Sequence, residues 1–425
     1  MVITLLIFMM ILFAFNIPVA FAILFTAVCA ILFGGGYDPS ILSQRVIAGT
    51  NSFVLLTVPF FLLTGLLMNT GGITHRIFRF AKALVGHIRG GLGHVNIVAS
   101  IIFSGMSGAA QADAAGLGQI EIEGMKEEGY DVGFSAAVTA ASSTIGPIIP
   151  PSISMVVYGS MGGVSIGALL LAGIIPGLLM GALMMMVVYM ISKKRNYPVG
   201  KRASLKELTA SFKDAIWALL APVILVGGIF SGNFTPTEAG AICAVYSFIV
   251  STFIYKELKF KDIPLIFSQL VVSNAGIMLI IGAASSLGYV LTMEGVPQSL
   301  AHWLTSISDA KWVILLVLNG ALLIVGMFLE GIAVLTIMIP ILKPLAMNLD
   351  INLVHFGVMV VLNLMIGTLT PPLGVVSYII SSIAKISIVE LMKDLWPFLI
   401  ALLVALLLIT FIPQISLFLP NLLLN

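Results

Sequence analysis

Apolar residues run along this chain in stretches that fit no soluble core, and the polar residues that interrupt them recur in pattern. Ile166 to Ile191, Val313 to Leu329 and Leu395 to Ile412 are composed almost wholly of apolar and small side chains. A helix needs about 20 such residues to cross the hydrocarbon of a bilayer. The pattern therefore predicts an all-α polytopic membrane protein. The opening run from Val2 to Phe33 is broken by Asn16-Ile17-Pro18. It is too long for a cleaved signal peptide and has no basic start, so it is expected to be a retained membrane segment.

The interruptions come in two copies. Ser104-Gly105-Met106 and Ile145-Gly146-Pro147-Ile148-Ile149-Pro150-Pro151 return as Val325-Gly326-Met327 and Ile366-Gly367-Thr368-Leu369-Thr370-Pro371-Pro372, with the two glycines and both prolines at a constant offset of 221. Upstream, Gly65 and Gly72 match Gly288 and Gly295 at an offset of 223. The chain thus reads as two copies of one unit. The stretch Ser104 to Asp113 follows an apolar run too short to span, which predicts a hairpin that enters the membrane and turns back. The Gly–Pro–Pro stretches predict helices broken in mid-membrane, because proline removes a donor and clashes with the preceding turn. Freed backbone groups are tolerated at that depth only inside protein or against a cavity. Free carbonyls and hydroxyls suit a dehydrated Na⁺, and the amides of half-helix N-termini suit an anion. Paired breaks of this kind point to a transport site between two repeats.

Composition and charge narrow the picture. Hydrophobic residues make up 60% of the 425, charged residues 9%, and the mean hydropathy is +1.15. Soluble domains carry about 25% charged residues. The net charge of +2 gives no electrostatic reason to expect a nucleic acid, and lipid is the expected surrounding. Cys29 and Cys243 sit in apolar stretches and read as small buried hydrophobes. Basic residues gather at Arg76, Arg79, Lys82 and Arg89, and again from Lys193 to Lys213. Short basic loops stay in the cytoplasm. The second-half counterpart of the first cluster, Gln298 to Lys311, holds one lysine, no arginine and Asp309. Opposite bias in corresponding loops predicts two inverted repeats joined by a cytoplasmic linker.

Candidate chemistry follows from what the breaks lack. No Lys or Arg lies between Lys126 and Lys193, or between Lys343 and Lys385. A carboxylate substrate would have to be met there by helix N-termini, hydroxyls, Asn363 and bound Na⁺. Asp113 follows the first hairpin turn, and its repeat counterpart is the apolar Val334. The repeat architecture does not require it, and an acid at membrane depth is usually functional. It is expected in the ion or substrate site, with helix capping as the alternative. Glu330, at the position of Ala109, either caps the return helix or holds the second hairpin shut. The five histidines show no metal-ligand spacing, and Met184-Met185-Met186 is core or lipid-facing filling. Gly105-Met106-Ser107-Gly108 also matches the short pattern of intramembrane serine proteases. A nucleophile needs a base within hydrogen-bond reach, and a protease with Ser107 as nucleophile would leave the duplication unexplained. A channel is a further alternative, though broken hairpins in inverted repeats favour alternating access over a continuous pore.

These residues resemble the large membrane subunit of tripartite ATP-independent periplasmic (TRAP) transporters, the DctM-like family. The likeness runs over essentially the whole chain. It is carried by Asn16-Ile17-Pro18-Val19-Ala20, Val58-Pro59-Phe60-Phe61, Asn69-Thr70-Gly71-Gly72, Phe103-Ser104-Gly105-Met106-Ser107-Gly108 with Ala112-Asp113-Ala114, Ile149-Pro150-Pro151-Ser152, and Gly367-Thr368-Leu369-Thr370-Pro371-Pro372. The stretch Gly326 to Pro340 departs most, with Glu330 where many relatives have Asp. The resemblance implies a non-enzymatic, Na⁺-coupled secondary transporter of elevator type in a bacterial or archaeal inner membrane. In such a protein a transport domain of two hairpins and two broken helices slides against a scaffold. Carried over, one Na⁺ site would use Ser104, Gly105 and Ser107 with Gly146. The other would use Gly326 with Gly367 and Thr370. Two or more Na⁺ would travel with each substrate, which would sit between the sites near Asp113, Ser143, Thr144 and Asn363. The expected partners are a small membrane subunit, forming a heterodimer with this chain, and a soluble periplasmic substrate-binding protein.

The expected organisation is a first-half scaffold in residues 1–90 and first-half transport segments in 91–191. A linker follows in 192–213, then second-half scaffold in 214–310, transport segments in 311–394 and a terminal membrane helix in 395–425. The chain looks most like the sialic acid branch, which implies sialic acid (N-acetylneuraminate) as substrate, with a C4-dicarboxylate or another organic acid as the alternative.

Overall fold

A computed structural model describes residues 2–15, 17–33, 38–308 and 310–424. Asn16 and Asp309, which entered the sequence argument, lie outside them. The described residues are helical throughout, with a single isolated antiparallel bridge between Arg89 and Val199. Eight of the helices are long and apolar enough to cross a membrane.

Two sets of helices follow one order. In the first half an entering arm, Gly91–Ser107, turns at Gly108 into a return arm of two pieces, Ala110–Gly116 and Gly118–Glu127. The broken helix Val132–Ser143 and Ile153–Gly162 comes next, and the long helix Ile166–Lys194 closes the set. In the second half the entering arm is Lys311–Phe328, the return arm Gly331–Asn348, the broken helix Leu353–Gly367 and Val375–Ala384, and the closing helix Ile388–Phe411. The offset glycines explain why both copies turn alike. Gly72 and Gly295 both adopt left-handed backbone, φ +71° and +68°, at the N-caps of Ile73–Val85 and Val296–Ile307. Each break also carries a cis peptide between its two prolines.

The halves interlock. The second-half segment Val375–Ala384 packs on Ala110–Gly116 and Val132–Ser143, while Ile153–Gly162 packs on Gly331–Asn348 and Leu353–Gly367. Small residues permit close approach, which matters where lipid removes most of the hydrophobic drive between helices. A Cβ placed on Gly65 would lie 3.2 Å from the Met106 carbonyl oxygen, and one on Gly288 would lie 2.9 Å from Cγ of Pro340. Corresponding turns reach opposite ends of one helix. The turn before Val132–Ser143 meets the C-terminal end of Ile166–Lys194, where Arg195 Nη1 donates to Asp131 at 2.9 Å. The corresponding turn before Leu353–Gly367 meets its N-terminal part. There Tyr158 Oη donates to the Leu353 carbonyl at 2.9 Å, and a Cβ on Gly357 would touch Leu169 at 2.9 Å. At a rise of 1.5 Å per residue, Leu169 and Arg195 are on the order of 40 Å apart.

The two basic stretches converge at the Arg195 end. Arg76 pairs with Glu257 at 2.7 Å and Asp214 at 3.4 Å and lies 4.0 Å over the Tyr255 ring. Arg195 also pairs with Asp394, and Arg89 bridges to Val199. The Tyr197 hydroxyl donates to Asp131, and burial together with that carboxylate pushes its pKa up to about 12. Two expected boundaries shift. Helices extend to Lys194 and resume at Leu205, so most of the stretch 192–213 is helical and the connection outside helices is 195–204. The cause is local: Ser204 and Glu207 form a capping box that starts the next helix early. The last membrane helix begins at Ile388 rather than 395, capped by Ser387, and a further helix, Gln414–Leu423, follows it.

Candidate functional site

The hairpin tips and the helix breaks meet inside the protein. In the first half Ile153 N donates to the Gly108 carbonyl at 3.2 Å, joining the exit of the break to the tip. In the second half Leu373 N donates to the Met327 carbonyl at 3.1 Å, the same junction. Gly108 holds a left-handed φ of +66°, and a Cβ there would lie 2.6 Å from the Pro151 carbonyl oxygen, so only glycine fits the turn. The tips also meet each other. Glu330 Oε2 accepts from Ala333 N at 3.1 Å, which caps the second return arm, and Oε1 accepts from Gln111 Nε2 at 3.4 Å across to the first.

Asp113 is the buried acid that follows the first hairpin tip. It is buried at 1% exposure in the return arm. Oδ1 accepts the Ser107 hydroxyl, while Oδ2 is buried with no protein partner. A Cβ built on Gly146 would lie 2.5 Å from that Oδ2 and 3.3 Å from the Ser143 carbonyl oxygen. The structure thus brings Asp113, Ser107, Gly146 and Ser143 together. An unpaired buried carboxylate is expensive at this depth. A cation among the carboxylate, the carbonyl and the serine oxygen would balance it, and this hard oxygen set suits Na⁺.

The second half has Val334 in place of that acid, and there two glycines approach each other directly. A Cβ on Gly367 would fall 2.8 Å from Cα of Gly326. Thr370 donates to its own helix at the Ile366 carbonyl, 3.0 Å. The other predicted hydroxyls do the same: Ser104 to Ile101 at 2.6 Å, Ser143 to Ala140 at 2.8 Å and Thr144 to Ala141 at 2.6 Å. Each keeps lone pairs free to accept or to coordinate. A Cβ on Gly105 would meet Pro222 at 2.8 Å. Asn363 Nδ2 donates to the carbonyl and to Oδ1 of Asn319, both at 2.9 Å, leaving its own Oδ1 buried without a partner. Asn363 belongs to the second half, and no hydrogen bond links it to Asp113.

Sequence reasoning missed the polar clamps beside the breaks. Asn96 on the first entering arm donates to Thr139 at 2.7 Å and accepts from Ser142 at 2.7 Å, and Ser100 donates to Ser142 at 2.9 Å. In the second half Asn319 clamps Asn363 and donates to Thr410 at 3.1 Å. Asn96 matches Asn319 at the offset of 223, and Ser142 matches Asn363 at 221. Those two offsets were the available signal. Glu121 was also missed. It is fully buried in the return arm, with both oxygens unpartnered. No histidine bonds to Ser107 among the described residues, and His355 Nδ1 pairs with Ser416 at 2.9 Å.

Comparison with known proteins fits this geometry. Residues 6–415 match the family model described as the tripartite ATP-independent periplasmic transporter, DctM component. The chain is 45% identical over 410 residues, 96% of each protein, to the sialic acid TRAP transporter large permease protein SiaM of Vibrio cholerae. It is 44% identical to the sialic acid TRAP transporter permease protein SiaT of Haemophilus influenzae, over 90% of this chain and 62% of that longer protein. It is 40% identical, over 89% of each, to the C4-dicarboxylate TRAP transporter large permease protein DctM of Pseudomonas aeruginosa. Among solved structures, the YdaH transporter of Alcanivorax borkumensis superposes with a TM-score of 0.63 at 14% identity, over 89% of this chain and 87% of that one. MtrF of Neisseria gonorrhoeae superposes at 0.61 with 12% identity, over 88% and 84%. These superpositions show a shared fold. The relatives are transport permeases rather than enzymes, in keeping with a multi-pass protein of a bacterial inner membrane. The chain is therefore a member of the DctM family, the large permease component of tripartite ATP-independent periplasmic transporters.

Proposed function

We propose that this chain imports an organic acid, sialic acid foremost, by Na⁺-coupled elevator movement of two inverted halves. The observation that carries the reading is the orphaned Oδ2 of Asp113, buried beside Gly146 where the first hairpin tip joins the broken helix. Na⁺ is cargo in this scheme. It would take Asp113 Oδ2 and the Ser143 carbonyl as ligands, with a Ser107 lone pair adding a third. Its charge balances the carboxylate and holds the tip against the break. A second Na⁺ would use the matching junction of Gly326, Gly367 and Thr370. With both ions in place the junction is electropositive, which favours an anion held by Ser143, Thr144 and Asn363. Each net positive charge moved inward across about 100 mV gains roughly 2.3 kcal/mol.

Placement of corresponding turns at opposite ends of Ile166–Lys194 supports the inverted arrangement. A small membrane subunit and a periplasmic binding protein would complete the transporter. Sialic acid is favoured by the 45% and 44% identities to permeases that bear its name, against 40% for the dicarboxylate permease. The second reading, a C4-dicarboxylate, rests on that narrow gap. Uptake of the two labelled acids through the reconstituted transporter separates them: N-acetylneuraminate should accumulate and excess succinate should not inhibit it. Accumulation of labelled succinate without accumulation of labelled N-acetylneuraminate would move the substrate to the dicarboxylates.

A further inference from the structure

A polar cavity lies away from the hairpin tips, at the end of the molecule opposite the linker. It is an open cleft of about 400 Å³, within the usual range for a small-molecule site. One wall comes from Ser40–Thr50 and Ile263–Met293, which supply Arg45 and Tyr289. The facing wall comes from Ile153–Gly162 and Gly331–Asn348, which supply Ser160 and Pro340. Ser160 sits just before the turn into Ile166–Lys194, while the basic linker leaves the far end of that helix. Ser52 and Ser160 both line the cleft, and their hydroxyls approach to 3.3 Å.

Arg45 gives the cavity its chemistry. Its guanidinium lies 4.3 Å from the centroid of the Tyr289 ring. Stacking holds the fork by its face and leaves its N–H edges available. Arg45 is exposed, and among the described residues no carboxylate pairs with it. The helix breaks, by contrast, have no Lys or Arg within their windows. A guanidinium offers two parallel donors that match a carboxylate, and a cleft of one sign with low-dielectric walls concentrates counter-ions.

We propose that Arg45, positioned by Tyr289, is the carboxylate receptor of a vestibule that receives the organic acid at the boundary of the two walls, before the acid reaches the hairpin tips. This inference rests on the organic-acid reading above. The receptor recognises the carboxylate, and the hydroxyls of Ser52 and Ser160 face the remainder of the acid.

The test uses the large chain with its small subunit, Cys29 and Cys243 replaced by Ala, in neutral phosphatidylcholine vesicles. Ser160→Cys serves as reporter, modified by an anionic or a cationic methanethiosulfonate reagent. With Arg45 present the anionic reagent should react about tenfold faster, relative to the cationic one, than with Arg45→Gln. N-acetylneuraminate should slow the anionic reagent only when Arg45 is present. In uptake, Arg45→Gln should raise KM about tenfold, the scale of one lost charge-assisted hydrogen bond, leave the maximal rate near normal, and be partly rescued by Arg45→Lys. A reagent preference that ignores Arg45→Gln would overturn the site. So would loss of the preference on adding phosphatidylglycerol without any acid, which would assign Arg45 to a lipid phosphate. Labelling needs neither Na⁺ nor turnover. Retained protection with no uptake would therefore sink the transport reading and keep the receptor, while protection by succinate alone would keep the receptor and change the acid.

Discussion

Gly367 and Gly326 meet backbone to backbone, and a Cβ on Gly367 would come within 2.8 Å of Gly326 Cα. The second hairpin tip is thereby seated on the second break with no side chain between them. Neither partner is a flexible side-chain end, so relief requires the tip to move. Gly367→Val should abolish Na⁺-dependent uptake while the protein still inserts and elutes as a folded assembly. Overpacking costs about 1–3 kcal/mol, which the remaining core can absorb. Normal uptake by this variant would remove the tip-to-break junction from the mechanism.

Asp113→Asn keeps an acceptor for the Ser107 hydroxyl and removes the charge beside Gly146. The half-saturating Na⁺ concentration should rise about tenfold or more, the worth of one charge-assisted interaction. The check is initial uptake against external Na⁺ at constant ionic strength. An unmoved Na⁺ curve would leave Asp113 as a structural partner of Ser107.

The Asn96 clamp should act on stability first. Removing one partner of a buried hydrogen bond costs about 1–3 kcal/mol, so Asn96→Ala should lower the melting temperature of the detergent-solubilised complex. Asn96 and Ser142 share the network, so their double variant should destabilise less than the two single variants together. Additive losses would show that the two residues act independently.

Tyr197 carries a pH signature. Its hydroxyl is buried and bonded to Asp131, which raises its pKa to about 12 against an ordinary 10. The folded state therefore holds the proton more tightly. This contribution is complete below pH 10 and is lost as pH rises toward 12. The difference in melting temperature between the parent and Tyr197→Phe should be flat below pH 10 and change only above it. A change confined to acid pH would contradict the assignment.

The parts of the site legible in the sequence were those set by local backbone chemistry. Gly108 turns inside the Ser104–Asp113 stretch where a hairpin was expected, because left-handed backbone is decided within a few residues. The pairing of Gly326 with Gly367 came from the resemblance to TRAP permeases, which implies that each hairpin tip faces the break of its own half, and the two glycines do meet. Side-chain partners were harder to read. The Asn96–Thr139–Ser142 clamp depends on the rotation of two helices about their axes, which an interrupted apolar pattern does not specify. The burial of Glu121 was hidden for a related reason: in Glu121-Ile122-Glu123 it looks like half of a solvated pair, yet it alone is wholly buried. Arg45 was passed over because no motif surrounds it, and Tyr289, its partner, is 244 residues away.

The most direct measurement is uptake of labelled N-acetylneuraminate into proteoliposomes holding this chain and its small subunit, with the matching binding protein outside. An inward Na⁺ gradient is compared with an equal K⁺ gradient. Accumulation with Na⁺, abolished by K⁺ or by omitting the binding protein, is the result expected here. Equal uptake under both gradients would contradict Na⁺ coupling through Asp113 and the hairpin tips.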